Sequence, residues 1–487
     1  MTVDVYDAPG LIAGAWTKGT TQAERTGPYL RRVVSRAALA TAADADAAIR
    51  FAAATTKAIA GTTPAARSAV LNQAARLAAE RKDEIARLIA AELGKPLKDG
   101  RGELDRVADT FAICADEARR LGGEVLPSAG YSRGAGTTAL TYRAPAGVVL
   151  AITPFNAPAN LLAHKLGASF AAGNTTIVKS PPQAPATTAA VVRLVLDAGM
   201  PPEAVQLLHG GADIGTQLCA AEQIAVISFT GSAAAGAAVA RAAGTTRPKR
   251  LVLELGGNAA TIVCADADIT TAARTCARTG YTNSGQSCIS VQRVYVQQDL
   301  YRQFLDSFTE EVQHLRTGDP LDDRTDVGSM VDDTAAERVV RWAREARDDG
   351  AEITIGGTRD GATVAPTVVA GSRPTAKVVA EEVFGALVAV LPFDTLDNVI
   401  TTCNASRYGL QAGLFTRDID TIFRAWRDLE VGGLVVNGSS NFRLDHLPFG
   451  GVKDSGFGRE SPRWMIEDFT VVKTLLMRGV SLYGDNA

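Results

Sequence analysis

Histidine, aromatic residues and paired cysteines are all scarce in this chain, and each scarcity removes a class of answers. Four histidines among 487 residues, none beside cysteines at zinc-site spacing, leave no metal-binding pattern. Six cysteines (Cys114, Cys219, Cys264, Cys276, Cys288, Cys403) are irregularly spaced with no CxxC pair, which argues against disulfides too. Lys and Arg are scattered, and a net charge of −3 gives no footprint for nucleic acid or an acidic membrane. No apolar run approaches the roughly 18–20 residues of a membrane span. The start, Met1-Thr2-Val3-Asp4-Val5-Tyr6-Asp7, lacks the basic-then-apolar order of a signal peptide, so a cytoplasmic location is expected. The GxGxxG fingerprint of ordinary dinucleotide folds is also missing.

What is present is a globular composition long enough for two or three lobes, with 46% hydrophobic and 21% charged residues. Asp44 to Arg120 is Ala-rich with apolar residues at helical spacing, which predicts several packed helices. After Leu121-Gly122-Gly123, residues through Arg143 read as turn and polar β-ribbon without a core of their own. From Gly147 strands and helices alternate: Val148–Ile152, Thr175–Lys179, Val205–Leu208 and Ala225–Thr230 are apolar and β-branched, as in a parallel sheet covered on both faces. A second alternating series is expected to begin at Leu251–Glu254 and to include Thr261–Val263, Arg293–Val296, Leu387–Leu391 and Leu434–Val436. The fold class is therefore α/β, with two doubly wound parallel-sheet lobes. The tail Phe469–Met477 is a lone apolar strand, and it and the β-ribbon are expected to pair across subunits as an oligomerisation arm.

Four short stretches carry chemistry. Asn283-Ser284-Gly285-Gln286-Ser287-Cys288 is a loop of small residues that leaves a thiol accessible; a lone loop cysteine is also commonly inert. Glu254 closes an apolar strand before Gly256-Gly257, facing the crevice at strand carboxyl ends, where it reads as a general base or a solvated carboxylate. Asn156 stands between Pro154 and Pro158, either aimed as an oxyanion donor or serving the turn. Phe229-Thr230-Gly231-Ser232 lies at a strand-to-helix junction suited to phosphate.

Together, and in order along the chain, Pro154-Phe155-Asn156, Val178-Lys179, Phe229–Ser232, Glu254–Gly257, Gly285–Cys288, Glu381-Glu382-Val383-Phe384-Gly385 and Pro448–Gly456 resemble the aldehyde dehydrogenase superfamily. The resemblance implies an enzyme that oxidises a small, polar or anionic aldehyde to its acid with NAD or NADP. Cys288 would be the nucleophile, Asn156 and the Cys288 N–H the oxyanion donors, and Glu254 the base for thioester hydrolysis. Thr153, Pro154, Lys179, Gly231, Ser232, Glu382 and Phe384 would contact coenzyme. It further implies residues 1–122 and 144–253 as a dinucleotide-binding domain and 254–462 as a catalytic domain. Residues 123–143 and 463–487 would form the arm of a homodimer or homotetramer.

Two positions depart from common family patterns. Pro182 stands where NAD-preferring members often place an acid, which leaves the coenzyme choice open, and Ser287 replaces the arginine of many phosphate-substrate members. Arg443 and His446, ahead of Pro448, are candidates to meet an anionic or hydroxylated aldehyde or, alternatively, to pair with Asp445. The nearest-looking branches act on lactaldehyde, succinic semialdehyde, phosphonoacetaldehyde or sulfoacetaldehyde. A CoA-acylating semialdehyde dehydrogenase is the alternative, disfavoured by Glu254. A cysteine hydrolase would need an imidazole from His164, His209, His314 or His446, none in a hydrolase signature.

Overall fold

A computed structural model describes residues 5–480 and 482. Residues 1–4 of the expected coenzyme-binding domain, and 481 and 483–487 of the expected arm, lie outside the described residues.

The Ala-rich stretch folds as expected into helices. Thr41 opens Ala42–Ala60 through a capping box with Asp44, and Thr63 caps Pro64–Glu80, with proline at the first helical position where no N–H is missed. Lys82–Leu93 and Leu97–Arg120 follow, burying small residues such as Ala74, Ala78 and Ala115 where the helices meet. This helical layer packs on a sheet of eight strands. Its five parallel members run, in spatial order, Arg250–Glu254, Ile224–Thr230, Val148–Ile152, Thr175–Lys179 and Val205–Leu208. Strand order reverses between Val148–Ile152 and Ile224–Thr230, the kind of switch point at whose carboxyl ends α/β proteins leave a crevice.

The expectation that Leu251–Glu254 begins the second sheet is corrected. The strand Arg250–Glu254 pairs in parallel with Ile224–Thr230, from Val226 opposite Arg250 to Thr230 opposite Glu254. The helix Ala233–Ala243 is the short crossover that returns the chain beside its predecessor. On its other side the strand takes Gly456–Phe457 in antiparallel register, so the far end of the chain closes this sheet.

The second lobe is a seven-stranded sheet. Thr367–Ala370, Leu387–Phe393, Arg293–Gln297, Ala260–Val263, Gln411–Phe415 and Gly433–Val436 are parallel neighbours in that order, and Glu352–Ile355 adds an antiparallel edge. Its inner strands are buried on both faces, while Glu352–Ile355 and Gly433–Val436 at the two edges are partly exposed.

The arm also differs from its expectation. Thr470–Arg478 pairs along its whole length with Thr137–Pro145 of the same chain, and Val125–Leu126 adds a third strand. Two segments far apart in sequence satisfy each other's backbone, so the pairing is intramolecular. Val471, Val472, Leu475 and Leu476 remain exposed on it. Among the described residues no helix is long and apolar enough to cross a membrane, and no cluster of His, Cys, Asp and Glu could hold a metal ion.

Candidate active site

The crevice at the switch point is a cleft of about 470 Å³. Thr153, Pro154, Phe155 and Asn156 enter it from the end of Val148–Ile152, and Lys179 from the end of Thr175–Lys179. Thr153 N–H donates to the Lys179 carbonyl at 3.3 Å, which keeps the two strand ends in step. Burial pulls the Lys179 ammonium below the usual lysine range, with Asp213 opposing. Gly231 donates its N–H to the Glu254 carbonyl at 3.0 Å, and a Cβ there would strike the Phe229 ring. Ser232 caps Ala233–Ala243, its Oγ accepting from Ala235 N–H at 3.3 Å. The remaining N–H groups of that first turn, and its positive dipole end, face the cleft side where Ser232 lies.

From the second lobe come Glu382, Phe384, Arg338 and Cys288. Glu382 accepts from Gly257 N–H at 2.9 Å, and its burial raises its pKa to about 7. Its other oxygen occupies the space a Cβ on Gly256 would need. Phe384, at φ 44°, stands edge-on to Phe155 with centroids 5.9 Å apart, so an aromatic pair bridges the lobes. A dinucleotide fits this donor set: a largely apolar trough, a helix start for pyrophosphate, and Lys179 and Glu382 for hydroxyl groups of two riboses.

Cys288 follows an unusual turn. Asn283, Ser284 and Gly285 are all left-handed, at φ 50°, 56° and 71°. For Ser284 that costs roughly 1–2 kcal/mol, offset by its Oγ donating to the carbonyls of Gly328 and Ser329 at 3.0 and 3.3 Å. A Cβ on Gly285 would collide with the Gly385 carbonyl, so glycine is required there. Gln286 accepts from Val331 N–H at 2.9 Å and donates to the Asn283 carbonyl at 3.2 Å. The half-buried Cys288 packs against Ile289, Leu410 and Phe449. Burial, then the charges of Glu382 and Glu254, push its thiol up to about 12.

Glu254 sits behind the cleft wall, 3% exposed, and neither carboxylate oxygen has a hydrogen-bond partner among the described residues. Burial, and next the ionised Glu460, raise its pKa well above the carboxylate range, while Arg443 and Lys165 act in the opposite direction. For Glu460 burial is outweighed by Lys165 and Arg443, so this acid stays ionised and Glu254 holds the proton. Lys165 pairs with Glu460 at 3.0 Å and Arg443 pairs with it at 2.9 Å.

Of the two residues proposed for substrate, Arg443 is therefore buried in an ion-pair network, its guanidinium over the Phe449 ring at 4.2 Å, and does not line the cleft. Asp445 links it to Arg106 at 2.6 Å and to His164 at 2.9 Å. His446 lies exposed on the same loop, outside the cleft lining. Sequence reasoning missed Lys165, Glu460, Arg106, His164 and Arg338. One signal was available: Lys165 interrupts an otherwise apolar stretch, and every residue of its helix Pro158–Ala171 is buried.

Residues 16–475 match the family model described as "Aldehyde dehydrogenase family". The chain is 40% identical over 468 residues to 3-sulfolactaldehyde dehydrogenase of Priestia aryabhattai, covering 96% of this chain and 97% of that one. Aldehyde dehydrogenase 21 of Physcomitrella patens, solved with its product succinate, superposes with a TM-score of 0.94 at 32% identity, covering 99% and 100% of the two chains. Glyceraldehyde-3-phosphate dehydrogenase GapN of Methanocaldococcus jannaschii, solved with NADP, gives a TM-score of 0.90 at 31% identity, covering 94% and 100%. The chain belongs to the aldehyde dehydrogenase family, as an NAD- or NADP-dependent enzyme that oxidises an aldehyde to its carboxylic acid.

Proposed function

We propose that the substrate is a short aldehyde bearing a sulfonate, and that Cys288, Asn156 and Glu254 carry out its oxidation. What carries this reading is the shared cleft: Cys288 and Asn156 line it together with Lys179 and Glu382, while the unpartnered Glu254 carboxyl stands behind it. Cys288 Sγ bonds to the aldehyde carbon, and its proton leaves the thiol. The developing oxyanion is held by the Asn156 amide and the Cys288 N–H. Bound NAD or NADP supplies the acceptor for the hydride lost when the thiohemiacetal becomes a thioester. Thr153, Pro154, Lys179, Gly231, Ser232, Glu382 and Phe384 would hold that coenzyme; the Ser232 Oγ accepts in its cap and so keeps its O–H to donate, and with the free helix N–H groups beside it would meet the pyrophosphate.

Glu254 then takes a proton from water, which cleaves the thioester. A carboxyl held protonated by burial is a stronger base once ionised, and its two free oxygens cost no existing bond. While it is neutral, it also removes one of the three carboxylate repulsions that, after burial, raise the Cys288 thiol.

Anionic groups recur in the relatives: a sulfonate in the name of one, succinate bound in another, a phosphate in the third. Ser287 in place of arginine disfavours the phosphate. Arg443 is held by Glu460 at 2.9 Å and by Asp445 at 3.8 Å and does not line the cleft, so the support for a sulfonate comes from these relatives and not from this cation. Of the described residues, those up to 122 with 144–253 would form the coenzyme domain and 254–462 the catalytic domain, while 123–143 and those from 463 onward would supply the arm. Its exposed Val471, Val472, Leu475 and Leu476 suit contact with a second copy in a homodimer or homotetramer.

The decisive experiment is steady-state kinetics with NAD and NADP on 3-sulfolactaldehyde, sulfoacetaldehyde, succinic semialdehyde, lactaldehyde and glyceraldehyde 3-phosphate. The sulfonates should give the highest kcat/KM. Equal kcat/KM for uncharged lactaldehyde would sink the anion reading.

A further inference from the structure

The left-handed turn before Cys288 places one side chain where it touches both loops that the chemistry must align. Asn283 Nδ2 donates to the Asn156 carbonyl at 3.1 Å and to the Gln286 carbonyl at 3.2 Å. One amide group thus ties the residue that holds the oxyanion to the loop that carries the nucleophile, across 127 positions of sequence. The Asn156 carbonyl is closed from a second side by Lys95 Nζ at 3.2 Å. Lys95 is itself held by Glu103 at 2.6 Å, and the other Glu103 oxygen accepts from Ala159 and Asn160 N–H at 2.8 and 3.1 Å, in the first turn after Asn156. Asp99 accepts the backbone N–H of Asn283 at 2.9 Å. Lys95, Asp99 and Glu103, from the start of one helix and the residues before it, therefore brace both loops at once, and Asn283 is the direct strut between them.

We infer that Asn283 is a positioning residue that sets the separation between the Cys288 nucleophile and the Asn156 oxyanion donor. The inference rests on the roles proposed above for those two residues. Its chemistry explains the residue type. The position needs a side chain with two N–H donors on a backbone at φ 50°, and asparagine tolerates that region better than other non-glycine residues. Glycine keeps the backbone and removes the donors. Aspartate keeps size and backbone tendency but presents only acceptors to two carbonyls when ionised.

The test is a double-mutant cycle on acylation, read as the rate constant of the NADH or NADPH burst, with coenzyme affinity and Tm measured on every variant. Asn283→Gly should slow the burst between about 10- and 100-fold, the scale of an ångström-level misplacement of reacting groups, with coenzyme affinity unchanged. Asn156→Ala should slow it too, and adding Asn283→Gly to Asn156→Ala should cost less than three-fold more, because a strut has nothing left to position. Should Asn283→Gly fail to fold, Asn283→Asp enters the same cycle with the same expected sign. A wild-type burst in either Asn283 variant overturns the inference. Full additivity also overturns it, since a purely structural role would slow both backgrounds equally. A wild-type burst in Asn156→Ala overturns the oxyanion assignment itself, and the strut with it.

Discussion

The nucleophile loop and the carboxylate behind it are built on opposite terms. Around Cys288, Ser284, Gln286 and Asn283 spend their polar groups on Asn156 and on backbone groups of the segment 328–331, fixing a left-handed turn that would otherwise be unfavourable. Glu254, a few residues from the same wall, has neither oxygen bonded although it is buried. A group that must attack from a fixed point is braced. A group that must gain and lose protons is left without partners, at a cost in stability. Breaking each side of this contrast should therefore have opposite effects on stability.

The largest effect is expected from Cys288→Ala. Oxidation should fall roughly 10⁴-fold or more, the scale of losing a covalent nucleophile, while coenzyme titration by fluorescence remains as in wild type. Residual turnover near the wild-type rate would rule the thiol out.

Glu254→Gln comes next. Turnover should fall by about 10²–10⁴-fold, with acyl-enzyme accumulating and visible by intact mass. In wild type this hydrolytic step should quicken as pH rises, because Glu254 must lose a proton held above the usual carboxylate range. Stability follows from the same shift. Below the ordinary value of 4.5 the carboxyl is protonated in both folded and unfolded chains and contributes nothing. Above it the unfolded chain releases the proton that the folded chain retains, so the wild type loses stability as pH rises toward the folded pKa. Glu254→Gln should accordingly raise Tm at pH 8, and the gain should shrink to nothing near pH 4. An unchanged Tm at pH 8 would contradict the unpartnered carboxyl.

On the braced side, Gly285→Ala should lower stability by about 1–3 kcal/mol, since alanine is strained at positive φ and its Cβ meets the Gly385 carbonyl. Denaturant unfolding measures it. The smallest effect should be at His446, exposed and outside both regions, where alanine should leave kcat/KM within two-fold for every aldehyde in the panel.

Much of this was legible in sequence, for identifiable reasons. Strands buried on both faces announce themselves as apolar runs, and Gly256-Gly257 marks the turn after Glu254 locally. The lobe assignment of Arg250–Glu254 was not legible, because both sheets are equally apolar and only pairing with Ile224–Thr230 separates them. Nor could the arm's pairing be read, since a lone strand at residue 470 carries no address for residue 145. Lys165, Glu460 and Arg106 escaped for the same reason: each ion pair joins residues hundreds of positions apart, and charge alone does not say which opposite charge it will meet; Asp445 was legible as a local partner of Arg443, which it meets at 3.8 Å, but not as the partner of Arg106.

That separation has a consequence for synthesis. Lys165 is buried in the first lobe, yet its counter-charge is Glu460, and the edge of the sheet that holds Glu254 is completed by Gly456–Phe457. Until the ribosome has added residues 456–460, the first lobe carries a buried Lys165 with no carboxylate partner and an open sheet edge. Contacts of such long range close late. Until they do, the nascent lobe is exposed to strand addition by other chains, and chains that terminate before residue 456 should accumulate as chaperone-bound or aggregated species rather than as folded, inactive enzyme.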